Sequence, residues 1–155
     1  MFQNSNQNQQ RLLKRTVSGN SSTPSMSNSS VEGTTCELAN ELMNARTAFH
    51  KLHLKITGTG SFSGHKALNE LYDALPGFAD DLVEQYQGAE EKLLSIPDSC
   101  PRTLNSKEEG LQYIRDLKTM VTKLQGVMPH SEIVNDLDIV KSTLNSIKYK
   151  LLFLS

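Results

Sequence analysis

Cysteine is scarce in this chain of 155 residues, which holds Cys36 and Cys100 alone. They lie far apart and outside any C-x-x-C or Cys/His zinc spacing, which argues against a disulfide scaffold and a structural zinc site and leaves two reduced thiols. Long apolar runs are absent too. No stretch approaches the ~20 residues a membrane helix needs, and Met1-Phe2-Gln3-Asn4 opens without the apolar segment of a secretory leader. A cytoplasmic or nucleoid-associated protein is expected, with no membrane partner. Charge of one sign is also missing: the formal net charge is -1, so any polyanionic partner needs a local patch rather than a whole-molecule field. No run alternates apolar and polar residues in the strand pattern.

Seventeen of residues 1 to 30 are Asn, Gln or Ser, and their few apolar neighbours follow no period. Such a segment cannot bury a face, so residues 1–33 read as a disordered polar tail. The tail is weakly basic. Its first 31 residues hold Arg11, Lys14 and Arg15 and no acid, giving +3 against -4 for the remainder.

From residue 34 to 155 the pattern is helical. Thr34 and Glu37 have the spacing of a capping box, and Leu38, Leu42, Ala45, Phe49, Leu52 and Ile56 then recur at steps of three and four, predicting a helix over about 35–57. After a glycine-rich turn at Gly58 to Gly64, Leu68, Leu71, Leu75, Phe78, Leu82, Tyr86, Ala89 and Leu93 continue the period to about residue 95, with a kink expected at Pro76-Gly77. Ile96 to Asn105, containing Pro97 and Pro101, is the longest connection and long enough to cross the bundle. Ser106 and Glu109 form a second capping box before a third helix ending at Pro129. A fourth runs from about residue 131 on Ile133, Leu137, Val140, Leu144, Ile147, Leu151 and Leu154. Four helices with one apolar stripe each can bury those stripes together as a bundle.

Two imidazoles and two carboxylates stand out: His53, His65, Asp80 and Glu84. That donor set suits iron and similar divalent metals. At ~100° per residue, His65, Asp80 and Glu84 share one face of the second helix. At ~1.5 Å per residue, however, His65 and Asp80 are separated by ~22 Å along the axis, whereas the ligands of one metal lie within a few ångströms of it. A two-fold axis crossing this helix near Tyr72 to Pro76 would bring the histidine end of one copy to the carboxylate end of another, with His53 joining from the first helix. His50, Asp73, Asp81 and His130 read as ordinary polar positions, and Tyr72, Phe78 and Tyr86 as packing residues.

The segment from His53 through Gly58 and His65 to Asp80 and Glu84, with steps of 5, 7, 15 and 4, resembles the ferroxidase signature of the bacterial starvation-induced Dps proteins. Asp138-Ile139-Val140 through Ile147 to Leu154 is similar to that family's last helix, and the resemblance covers about residues 35–155. It implies an all-α, ferritin-like four-helix bundle assembled into a twelve-subunit shell. It also implies a site holding two irons (Fe2+/Fe3+) shared across each dimer, iron storage, protection against oxidative stress and a bacterial or phage source. His53, His65, Asp80 and Glu84 would be the ligands, with Asn69 supporting them. The chain departs from the pattern at Leu54, where tryptophan is usual, at Asn69, where aspartate is usual, and at Phe62, one place late. Arg11, Lys14 and Arg15, multiplied over a shell, would hold DNA phosphates weakly. The alternative is a bundle of the same fold serving as a structural or interaction module, in a phage particle or nucleoid.

Overall fold

A computed structural model describes residues 28–154; Arg11, Lys14 and Arg15, and with them the expected DNA-binding tail, lie outside the described residues. The described residues form four helices: α1 (Asn28–His53), α2 (Ser61–Glu90), α3 (Lys107–Gln125) and α4 (Ser131–Phe153). Each turns one leucine-rich stripe inward, and Leu38, Leu42, Leu71, Leu75, Leu117, Leu124, Leu144 and Ile147 are among the side chains closed from solvent. Among the described residues, no helix is long and apolar enough to cross a membrane.

The helices touch in the cyclic order α1, α2, α4, α3, and the two diagonal pairs do not meet. α2 returns antiparallel to α1, so that Lys92 at its far end pairs with Glu32 at 2.6 Å. Residues 91–106 then travel back along α1. Ser99 Oγ accepts from the amides of Asn40 at 2.7 Å and Asn44 at 2.6 Å. Arg102 pairs with Glu41 at 2.9 Å, and Lys55 donates to the carbonyl of Leu104 at 3.0 Å. Glu32 and Lys55 are 23 residues apart, roughly 35 Å of helix, so the connection crosses the whole bundle. α3 therefore runs parallel to α2, and α4 returns against α3, with Lys118 bonded to Asn145 and Gln125 to Asp138. Up, down, down, up with one long crossover is the connectivity of ferritin-like bundles.

Several expected boundaries move. α1 begins at Asn28, and Thr34 is no cap: its hydroxyl donates to the carbonyl of Ser30 at 2.8 Å, and that of Thr35 to Val31. Val31 is buried, which gives the extra turns something to pack. α1 also stops at His53, leaving Ile56 in the turn. α2 stops at Glu90 because Glu91 takes a left-handed conformation, φ 51°, and Leu93, expected in the stripe, is 82% exposed. α2 runs on as helix through Pro76. Leu154 caps α4 and is exposed. The second capping box forms on one arm: Ser106 Oγ accepts from the Glu109 N–H, while the Glu109 carboxylate accepts from the N–H of Asn105, one residue before the cap. Met128 is buried beyond the end of α3. Gly110 sets the approach of α3 to α1, since a Cβ there would lie 2.7 Å from Leu52 Cδ2.

The crossover is clamped most firmly at Arg102, whose guanidinium lies 4.1 Å over the Tyr113 ring and 2.6 Å from Asp116. Burial, with the Glu41 carboxylate beside it, pushes the Tyr113 phenol far above its ordinary range, so it stays neutral. Desolvation raises the Asp116 carboxyl, but hydrogen bonds from Arg102 and Gln112 outweigh it and hold the group below its ordinary value of 3.8. A depressed folded value contributes stability that is complete above 3.8 and is lost as pH falls through the folded value. Asp116→Asn should therefore melt below wild type at neutral pH, with the two curves converging in the acid range. Melting curves that stay parallel down to pH 2 would contradict this.

Candidate metal centre

The turn between α1 and α2 brings the two histidines together. Gly58 (φ 94°) and Gly60 (φ 76°) occupy left-handed conformations that cost a side-chain-bearing residue strain. Between them they reverse the chain so that α2 starts beside the end of α1. The imidazoles of His53 and His65 stack with centroids 3.5 Å apart and an interplanar angle of 28°. Each ring is also tied to the other residue's backbone: His53 Nδ1 lies 3.0 Å from the carbonyl of His65, and His65 Nδ1 lies 3.3 Å from the carbonyl of His53. A carbonyl oxygen only accepts, so Nδ1 carries the proton in both rings. In a neutral ring held this way Nε2 keeps its lone pair, the form in which imidazole binds a metal. This is the outer support by which metal-binding histidines are commonly oriented.

Tyr72 holds the pair from the α2 side. Its ring stacks on His50 at 4.3 Å and meets His53 edge-on at 5.1 Å. The Tyr72 hydroxyl donates to Asn69 Oδ1 at 2.7 Å, and Asn69 Nδ2 donates to Asp73 at 2.6 Å. Asn69 thus spends its amide along the surface of α2, in a role an aspartate could not fill, since a carboxylate has no hydrogen to give Asp73. Sequence reading treated His50 and Tyr72 as bystanders. Their signals were the three-residue step from His50 to His53 and from Asn69 to Tyr72, which places neighbours on one helix face. His53 is buried, while His65 is exposed.

Asp80 and Glu84 do not join this cluster. Both are exposed on the same uninterrupted α2 as His65, with Asp80 ~22 Å along it by helix rise. Neither has a hydrogen-bond or ion-pair partner among the described residues. Within one chain, no three of the described His, Cys, Asp and Glu residues gather closely enough to hold a metal ion. His130 lies at the other end of the bundle, where it begins α4 and pairs with Glu90 at 2.7 Å.

The fold and its geometry define an all-α four-helix bundle with a stacked histidine pair at the α1/α2 turn. The chain belongs to a family described as a family of unknown function (DUF5856), whose profile matches residues 53–151. That span contains both histidines and both carboxylates. No curated protein and no solved structure matches the chain.

Proposed function

We propose that the protein binds and oxidises Fe(II) at sites shared between two copies, in the manner of Dps-type ferroxidases, and stores the ferric product within a closed assembly. The observation that carries this reading is the stacked His53–His65 pair, with both Nδ1 protons committed to carbonyls and both Nε2 atoms left to ligate. Imidazole and carboxylate together suit iron. The missing carboxylates are Asp80 and Glu84 of a second copy, delivered by a two-fold axis near Tyr72 to Pro76. The α1/α2 face also carries exposed Met43, Leu54 and Phe62, apolar area suited to a self-complementary contact.

In this arrangement Fe(II) is the substrate. The two imidazoles hold it, and the carboxylates of the second copy supply the negative charge that favours Fe(III) and can bridge two ions. Each iron gives up one electron to a dissolved oxidant, dioxygen or peroxide. The basic tail residues Arg11, Lys14 and Arg15 would add a salt-sensitive contact with DNA, strengthened by repetition over the assembly.

Stopped-flow measurement of Fe(II) oxidation, with metal analysis and the mass in solution, tests this. Wild-type protein should show a fast phase and exceed the monomer mass, and His65→Ala should slow the fast phase by about tenfold or more. Iron-free protein with no fast phase would leave the bundle as a structural or interaction module.

A further inference from the structure

The seam between α2 and α4 is acidic on both walls. α2 from Phe78 to Glu90 carries Asp80, Asp81, Glu84 and Glu90, α4 from Ser131 to Val140 carries Glu132, Asp136 and Asp138, and neither stretch holds a lysine or arginine. Between them lies a groove of about 90 Å³, room for one aliphatic side chain, floored by the buried Leu82, Ile133 and Leu137. Ile139 at its edge is 56% exposed. Asp81 and Asp136 stand on opposite walls. Asp136 accepts from the neutral amide of Gln85, and Asp81 has no hydrogen-bond or ion-pair partner, so among the described residues neither charge is met by a cation. Asp80 and Glu84 do not line the groove, which is therefore distinct from the candidate metal ligands.

We infer that the segment Arg11–Val17 of the same chain docks in this groove, setting a leucine between the walls and its cations against Asp81 and Asp136. Charge argues for this occupant. Residues 1–27 hold no acid, and their three cations, Arg11, Lys14 and Arg15, fall in one short stretch with Leu12, Leu13 and Val17. The segment is basic and aliphatic where the groove is acidic and apolar. Reach points the same way. α1 begins at Asn28, at the end of the bundle where Glu32 pairs with Lys92 and His130 with Glu90. From there the groove is one helix spacing across, ~10 Å, and its nearer end at Gln85 lies five residues back along α2 from Glu90, ~7.5 Å. Thirteen residues lead from Arg15 to Asn28, enough to span up to ~43 Å at ~3.3 Å each. A slot this small cannot hold a free partner, whose stable contact covers about 800 Å². A tethered segment needs far less, because tethering keeps it at high effective concentration. Seated there, the three cations are withheld from other polyanions.

The test uses full-length protein treated with a carbodiimide at low ionic strength, which joins an amine to a carboxylate it touches, with loss of water and no spacer. Peptide mass mapping should find Lys14 Nζ joined to Asp81 or Asp136. In a preparation whose subunits mix isotope-labelled with unlabelled chains, both ends of each link should carry the same label. Leu12→Ser/Leu13→Ser leaves every reacting group in place and should lower the yield of that link about fivefold, by removing the aliphatic contact. In parallel, Asp81→Asn/Asp136→Asn, with circular dichroism as the check on folding, should speed trypsin cleavage after Arg15 about fivefold, since cleavage follows the released fraction and two exposed charge contacts are lost. Added salt should speed it in wild type as well. If the aspartate variant loses helicity, the leucine variant decides. No link from Lys14, links scattered alike over Asp80, Glu84 and Asp138, links between chains only, or a yield untouched by the leucine substitutions would overturn the inference. So would cleavage that a folded aspartate variant leaves unchanged.

Discussion

Co-expression of His65→Ala with Asp80→Ala should restore fast Fe(II) oxidation that neither variant shows alone. His65 and Asp80 lie on one continuous helix, α2, ~22 Å apart along its axis. No single chain can present both to one metal. In a homogeneous dimer of either variant, every shared site lacks one ligand. In a mixed dimer the lesions segregate: one site carries both, and the other receives an intact His65 from one chain and an intact Asp80 from its neighbour. Random pairing makes about half the dimers mixed, each with one native site of two, so about a quarter of the wild-type fast amplitude should return. Both parents should give almost none. Mixed dimers demonstrated by mass, with no recovery, would exclude an intersubunit site built on these four residues.

The sequence revealed this geometry unevenly, for physical reasons. Helical period showed which leucines face the core, because burial of an apolar stripe repeats every three or four residues. It therefore located all four helices and the crossover between the second and third. Helix ends were harder to read. Thr34 has the spacing of a cap, yet its hydroxyl is satisfied by Ser30, a bond equally available inside a helix. Leu93 continues the period but falls after Glu91 has turned left-handed, a conformation no spacing rule foresees for glutamate. At the candidate site, the common face of His65, Asp80 and Glu84 followed from angular arithmetic. The stacking of His53 on His65 and the two carbonyl bonds did not, since they depend on how two glycines fold the turn. The part played by Asn69 was likewise hidden, because its partners Tyr72 and Asp73 are ordinary helix-surface residues in sequence.

The largest stability effect is expected at Phe49. Its ring is fully buried, stacks on Tyr113 at 5.2 Å and lies against the site where Gly110 admits α3. Phe49→Ala would remove the ring and leave a cavity between α1 and α3 that rigid helices cannot close. Such truncations cost about 3–5 kcal/mol, which for a domain of this size lowers Tm by roughly 10–20 °C. Because Phe49 sits one turn before His53, the same change should loosen the end of α1. The fast phase of Fe(II) oxidation should then weaken at temperatures where the variant is still folded. Differential scanning calorimetry and stopped-flow oxidation on the same preparation would show both effects. A Tm within a few degrees of wild type would mean that the α1/α3 seam carries far less of the stability than its burial indicates.

The crossover at residues 91–106 divides the molecule into two helical hairpins. Every candidate ligand, His53, His65, Asp80 and Glu84, belongs to the first hairpin, together with the glycine turn that sets His53 beside His65. The second hairpin supplies the opposite wall of the core. Substitutions on the outer surface of that second hairpin should therefore leave the histidine pair in place so long as its leucine stripes still fill the core.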